Sequence, residues 1–275
     1  MPASSCRHLP SPSWGLADIA ALGAATIPVS HGALTTIANL QAGETVLVHA
    51  AAGGLGVYAL QIARAMGARV IGTVGSEHKI KTIEELLRDR RTGRIPEGEG
   101  VVNYSREGWE KEVLKVCKQV GKDGVDVVYD TVGLVQKSIR CTAFNGRIVV
   151  VGFAGRTGTG AEQVDELEKI AVNRILLKQI KLLGYRFGET SRRLPAETVK
   201  MWQGLSKILA REPRVIHPVV YKTYHGLEHV NEGMQALSQR KVYGKAVIEV
   251  CNEEKAMQAV RERNSSETAA SKAKL

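Results

Sequence analysis

The sequence predicts an α/β protein built on a doubly wound parallel sheet, followed by a smaller C-terminal portion belonging to a second unit. Three observations carry this. Short valine- and isoleucine-rich runs alternate with helix-length segments between residues 45 and 185, the order that gives a parallel sheet with helices on both faces. The runs are continuously apolar, as strands buried on both faces require. A glycine-rich turn separates the first run from the first helix.

The elements follow in order. Residues 45–50 form a short buried strand and residues 56–66 a helix, with Val57, Leu60 and Ala63 on its apolar face and Arg64 outside it. Strand 69–73, helix 77–87, strand 101–103 and helix 109–120, ended by Gly121, continue the alternation. Strand 125–130, helix 135–141 and strand 146–151 follow, and residues 173–179 lead to a sixth strand at 180–185. Ahead of the sheet, residues 15–40 are helix-prone and apolar, with a break expected at Pro28. Beyond Gly188 come an amphipathic helix 195–210 opened by Pro195, a strand 219–224, a helix 226–240 and a last strand 245–250. The expected divisions are a disordered lead (1–14), a helical hinge segment (15–40), the doubly wound sheet domain (41–190), a C-terminal helix and strand part of a second unit (191–250) and a polar tail (251–275).

Composition narrows the function classes. The 275 residues are 44% hydrophobic and 24% charged, an ordinary globular balance. No run approaches the roughly 18 apolar residues of a membrane helix. The net charge of +10 favours anionic partners. Its densest group, Arg88, Arg90, Arg91 and Arg94, is not interleaved with aromatic residues, so nucleic acid is not expected as the main partner. Cys6, Cys117, Cys141 and Cys251 stand far apart. That spacing fits neither a zinc site nor a disulfide scaffold, and reduced thiols in the cytoplasm are expected.

The turn reads Ala51-Ala52-Gly53-Gly54-Leu55-Gly56. A dinucleotide pyrophosphate needs backbone N–H groups and a helix N-terminus within reach, and residues with little side chain let it approach. The turn follows a strand and opens a helix, the context that makes it a Rossmann turn rather than a glycine-rich turn serving packing alone. Ala51 replaces the usual first glycine. At the end of the second strand an NAD site usually places an acid for the ribose hydroxyls. Here the chain reads Gly72-Thr73-Val74-Gly75-Ser76, and Ser76 and Lys79 are placed to hold a 2′-phosphate, favouring NADPH. Two alternatives stay open: Glu77 serving the ribose, and Lys79 as a solvated helix lysine.

Together these residues resemble the medium-chain dehydrogenase/reductase superfamily, in its zinc-free quinone oxidoreductase (zeta-crystallin-like) branch. Residues 42–48, the 51–56 turn, 72–79, 101–104, 124–133 (GVDVVYDTVG), 146–153 (GRIVVVGF), 173–178 and 243–247 carry the resemblance, in family order. It implies that Gly75, Ser76, Lys79 and Tyr104 meet the adenosine 2′-phosphate. It further implies that Thr131, Val132 and Gly133 lie near the nicotinamide ribose, and that Gly152, Phe153 and Ala154 back the nicotinamide ring. Tyr104 and Phe153 are equally readable as core aromatics.

Two departures stand out. The family begins with a GroES-like domain ahead of the segment matching 15–40, and most of that domain is expected to be missing here. Residues 88–100 (RDRRTGRIPEGEG) replace a tighter turn and read as a surface loop.

The implied activity is zinc-independent hydride transfer from NADPH to a quinone or an α,β-unsaturated carbonyl. The alternative is an NADPH-binding protein without turnover. No catalytic residue is identified. His31 reads as a structural histidine more readily than as a general acid. His225 and His229 have helical ligand spacing but no further ligand in pattern, so no metal is expected. The apolar sixth strand, 180–185, would expose an unpaired edge, and a homodimer pairing it across a two-fold is expected.

Overall fold

The computed structural model describes residues 14–154, 170–211 and 215–250. The lead before Trp14 and the tail 251–275, with Cys6 and Cys251, lie outside the described residues. Two short helices, α1 (Leu16–Leu22) and α2 (Thr26–Gly32), run into a π-helical turn (Ala33–Ile37). The alternation then follows as β1 (Thr45–Val48), α3 (Gly56–Ala65), β2 (Arg69–Val74), α4 (His78–Leu87), β3 (Gly100–Asn103), α5 (Trp109–Lys118), β4 (Val125–Asp130), α6 (Val135–Cys141), β5 (Thr142–Val150), α7 (Val172–Lys178) and β6 (Lys181–Gly184). Helices α8 (Phe187–Arg193) and α9 (Pro195–Leu209), strand β7 (Val220–His225), a 3-10 turn (Leu227–His229), α10 (Val230–Ser238) and β8 (Lys245–Glu249) complete the chain.

Six parallel strands lie in the order β3-β2-β1-β4-β5-β6. The order reverses direction between β1 and β4, which opens a crevice at their carboxyl ends. The pleat divides the strand residues between two cores. Val46, Val48, Val127 and Tyr129 face α2, α3, α4 and α9. Leu47, Ile71, Val128 and Ile148 face α5 and α6. The continuous apolar runs are thus explained: both faces of β1 are fully buried. Helix α3 is also buried along both expected faces from Gly56 to Ala63, because the N-terminal helices cover its outer side. Tyr58 fastens that cover by donating its hydroxyl to the Ala21 carbonyl (2.6 Å), and Ser30 joins it to the sheet through the Tyr129 hydroxyl (3.1 Å). Strands β7 and β8 form a separate parallel pair.

Several expectations are corrected. Trp14, assigned to a disordered lead, is 2% exposed and part of the main core. The N-terminal helical stretch breaks at Gly23 (φ 66), not at Pro28. Pro28 is the third residue of α2, where a missing N–H costs no intrahelical bond. Helix α8 carries no strong periodicity and was not expected; Glu189 pairs within it to Arg192 and Arg193. The fifth strand begins earlier than expected, at Thr142, with a register irregularity opposite Val125 and Val127.

The loop after α4 is more ordered than its polar composition implied. Asp89 accepts from the backbone N–H of Arg91 and Thr92, and Arg90 reaches the His217 ring (2.9 Å). Its last acid, Glu99, turns inward. The side chain is 5% exposed and lies 3.3 Å from Arg64, and burial pushes its carboxyl up to about 7 despite that partner. At the same amino-terminal end of the sheet, Arg147 on β5 forks onto Glu44 (2.8 and 2.6 Å) and donates to the carbonyls of Ala38 and Asn39.

Both ion pairs lead to measurable expectations. Arg147→Met strands Glu44 and two carbonyls, and is expected to lower unfolding free energy in urea by about 2–3 kcal/mol, below the roughly 3–5 kcal/mol of fully buried pairs because this one keeps some solvent. A loss near zero would show that the fork adds nothing. Glu99 has a folded-state pKa above its unfolded value of about 4.3, so its contribution is complete below that value and is lost as pH rises through about 7. The thermal midpoint of Glu99→Gln, relative to the unmodified chain, is therefore expected to rise between about pH 5 and about pH 8. A difference that does not change with pH would contradict this assignment.

Candidate functional site

The expected site residues gather at the carboxyl ends of β1, β2, β4 and β5, around the point where strand order reverses. The turn after β1 begins with Ala50 in a left-handed conformation (φ 48). Ala51, in the usual first-glycine position, is buried and donates its N–H to Thr73 O (2.8 Å), which holds the turn against β2. Gly53 donates to Ala50 O (2.7 Å) and Val57 to Gly53 O (3.1 Å). None of the three turn glycines needs a positive φ; each provides space. A Cβ at Gly56 would lie 2.3 Å from Ala50 O and 2.7 Å from Ala51 Cα, so α3 starts in direct contact with the end of β1. No side chain caps α3. Among the described residues, the N–H groups of Gly54, Leu55 and Gly56 have no acceptor. Three unpaired donors at a helix N-terminus, walled by glycine, fit a pyrophosphate.

Beyond β2 lie the residues expected at the adenosine end. Gly75 is exposed, and a Cβ there would meet the Tyr104 hydroxyl at 2.8 Å, so Tyr104 lies against this turn. Burial holds the Tyr104 hydroxyl above its ordinary pKa. Ser76 is half-buried beside Gly75. Lys79, half-buried, donates to Val242 O (3.0 Å). Its ammonium is held below its usual pKa by burial and then by the Arg240 charge nearby. Arg240 also acts on Tyr104. Sequence reasoning missed Arg240, because its proximity arises from the return of the C-terminal segment and no local spacing signals it. Glu77, the alternative ribose ligand, pairs instead with Asn103 and with Arg106 (3.0 Å), toward the β3 edge.

At the far end of the crevice, fully buried Asp130 shapes the loop after β4. Its carboxylate accepts from the N–H groups of Val132 (2.8 Å), Gly133 (2.9 Å) and Leu134 (2.8 Å). Thr131 donates its hydroxyl to His49 O (3.3 Å) and receives the Ala154 N–H on its carbonyl (2.8 Å). The Phe153 ring lies against Gly133, where a Cβ would sit 3.0 Å from it, yet Phe153 is 50% exposed. Gly152 lies beside Thr131 O. Thr131, Val132, Gly133, Gly152, Phe153 and Ala154 thus come together at the carboxyl ends of β4 and β5.

His49, His225 and His229 have partners of their own. His49 is fully buried between Thr73 Oγ1 (2.7 Å) and Ser138 Oγ (2.8 Å), with Trp109 edge-on at 5.2 Å. His31 is buried in α2, and burial lowers it to about 4, so it is neutral near pH 7. His225 and His229 do not share a helix: one lies on β7 facing Glu249 (2.8 Å), the other in the 3-10 turn facing Glu232 (3.3 Å). The helical ligand spacing inferred from the sequence is corrected by the strand that ends between them. Among the described residues, no group of three or more His, Cys, Asp or Glu side chains is placed to hold a metal. No helix among them is long and apolar enough to cross a membrane. A surface groove of about 500 Å³ runs along the free edge of β3, past Trp109 and Arg106. It lies away from the crevice and takes no part in this site.

Comparison with known proteins agrees with this geometry. Residues 54–207 match the family described as zinc-binding dehydrogenase. The quinone oxidoreductase-like protein 2 of Bos taurus is 34% identical over 233 residues, 82% of this chain and 59% of that protein. An acryloyl-coenzyme A reductase of Metallosphaera sedula is 30% identical over 213 residues, 77% of this chain and 52% of that protein. The quinone oxidoreductase of Thermus thermophilus, solved also as its complex with NADPH, superposes with a TM-score of 0.66 at 27% identity, covering 87% of this chain and 68% of that one. The chain thus spans under two thirds of the first two relatives' length. The parallel sheet with its reversed strand order, the uncapped glycine turn and a family match over more than half the sequence make the chain a member of the medium-chain dehydrogenase/reductases, in their quinone oxidoreductase branch.

Proposed function

We propose that the chain is the nucleotide-binding part of a zinc-independent, NADPH-dependent reductase of quinones or α,β-unsaturated carbonyls. The observation that carries the reading is the set of unpaired N–H groups at Gly54, Leu55 and Gly56, with a cationic cluster and no free acid at the end of β2. The α3 N-terminus binds the pyrophosphate. Gly75 and Ser76 line the adenosine side, Tyr104 offers a hydroxyl, and Lys79 and Arg240 supply charge for a 2′-phosphate. Thr131, Val132 and Gly133, held by Asp130, position the nicotinamide ribose, and Gly152, Phe153 and Ala154 support the ring. When bound, the nicotinamide supplies the hydride. The divisions at 15–40, 41–190 and 191–250 are proposed as a hinge segment, the nucleotide-binding domain and a part of the catalytic domain.

A second reading, nucleotide binding without turnover, is favoured by one observation. The titratable groups nearest the nicotinamide end, Asp130 and His49, are buried and fully engaged in hydrogen bonds. An enone would need a proton from elsewhere, whereas a quinone can take its proton from water. We also infer a homodimer. Strand β6 is an edge strand, and beside it Leu176, Leu177 and Leu182 are 76%, 74% and 40% exposed, an apolar edge that a second copy would cover.

NADPH is expected to bind more tightly than NADH in titration calorimetry. Arg240→Met and Lys79→Met are each expected to weaken NADPH about tenfold, the loss of one charge-assisted bond, while leaving NADH unchanged. Equal affinity for the two nucleotides would contradict the 2′-phosphate assignment. Oxidation of NADPH by a panel of quinones and enones separates the two readings; binding with no turnover on any acceptor favours the second. Light scattering at micromolar concentration is expected to give twice the chain mass, and a monomer would remove the dimer.

A further inference from the structure

One buried side chain joins three segments at the carboxyl ends of the strands. His49 follows β1 directly and is fully buried. Its Nδ1 lies 2.7 Å from Thr73 Oγ1 on β2, and its Nε2 lies 2.8 Å from Ser138 Oγ on α6. Ser138 donates its hydroxyl to Leu134 O (2.7 Å), so its oxygen takes the Nε2 proton and Nδ1 takes the Thr73 hydroxyl. The backbone of the same residue makes two further bonds. Its N–H reaches Tyr129 O (3.0 Å), and its carbonyl receives the Thr131 hydroxyl (3.3 Å). Thr73 in turn accepts the Ala51 N–H on its carbonyl (2.8 Å), just ahead of Gly75 and Ser76. The arms of His49 therefore end on the glycine turn, on the end of β2 and on the loop after β4. Trp109 closes a further side, edge-on at 5.2 Å.

With no exposed surface, His49 offers nothing for a ligand to touch, so any effect it has on binding passes through those three segments. A dinucleotide bridges two half-sites. Once one half is bound the other binds intramolecularly, and the gain depends on the half-sites keeping their separation. A buried polar group with every partner present holds a single geometry. We propose that His49 is a positioning residue for dinucleotide binding: its ring and carbonyl keep the nicotinamide end of the crevice in register with the adenosine end. This rests on the nucleotide-binding reading above and deepens it. The residue type follows from the two ring contacts. A neutral imidazole carries an acceptor and a donor on opposite sides of one rigid ring, so it spans from Thr73 to Ser138. Asparagine places a polar atom at the Nδ1 position alone, and glutamine at the Nε2 position alone.

Half of the ligand separates positioning from local damage. Adenosine 2′,5′-bisphosphate fills the adenosine end only, whereas NADPH spans both ends. Ser138→Ala and Thr73→Val each cut one arm of the ring at a buried site, and His49→Phe cuts both. Calorimetry on the full chain is expected to show NADPH weakened about tenfold in His49→Phe and about threefold in each single-arm variant. The bisphosphate is expected to keep its affinity in all three. The fluorescence of bound NADPH, which reports how the reduced ring is held, is expected to shift toward that of the free nucleotide. Loss of these bonds lowers the thermal midpoint whether the ring positions the half-sites or only stabilises the fold, so affinities are compared well below each midpoint. Undiminished NADPH affinity in folded Ser138→Ala and Thr73→Val overturns the proposal, as does an equal loss for NADPH and the bisphosphate. An unmodified chain that binds neither nucleotide overturns the nucleotide-binding reading as well, so the two failures are distinguishable.

Discussion

Every part of the crevice depends on how closely α3 begins to the end of β1. Gly56 stands where any side chain would strike the Ala50 carbonyl. With the helix pressed to the strand end, its uncapped N–H groups open at the reversal of strand order. A methyl group at this point would move the helix outward or force the turn apart, since the opposing atoms are backbone. Neither β1, buried on both faces between β2 and β4, nor α3, covered by the N-terminal helices, has room to yield.

A second level of order fixes the strand ends relative to one another. Ser138 donates its hydroxyl to Leu134 O (2.7 Å), so its oxygen accepts the Nε2 proton of His49, and Nδ1 accepts the Thr73 hydroxyl. The ring is thereby held as one neutral tautomer, consistent with its lowered pKa, whose main cause is burial. It joins β1, β2 and α6 directly under the turn, while the His49 carbonyl receives Thr131 from the loop after β4. Asp130 then fixes the three N–H groups that follow. A buried polar group whose partners are all present confers a single geometry. Here that geometry fixes the turn after β1 relative to the loop after β4.

The sheet was legible in the sequence because its strands are buried on both faces and its helices keep a clear period. The turn was legible because three glycines and two alanines stand together between a strand and a helix. What escaped has physical reasons. Pro28 reads as a breaker, yet in the first turn of a helix its missing N–H is harmless, and Gly23 ends the preceding helix instead. His225 and His229 have helical spacing, but spacing does not reveal that a strand ends between them. Glu77 stands where a ribose ligand would, and only the fold shows that Asn103 and Arg106 hold it. Arg240 was invisible as a site residue because its position is set by contacts of its neighbours with residues far earlier in the chain, such as Val242 with Lys79.

Just ahead of β8, Gly244 donates its N–H to Ala52 O (2.8 Å), a contact that bears on how the molecule comes together. It ties the first turn of the sheet to the start of the last strand, one of the longest loops this chain closes. Closing a long loop carries an entropic cost that only later contacts offset. During synthesis all six sheet strands leave the ribosome before residues 240–245, so the sheet can assemble around an open crevice. The cationic rim arrives last. A chain interrupted after β6 would keep the glycine turn and its unpaired N–H groups but lack Arg240 and the rest of the C-terminal return. The crevice in its finished form therefore depends on the last segment to be made.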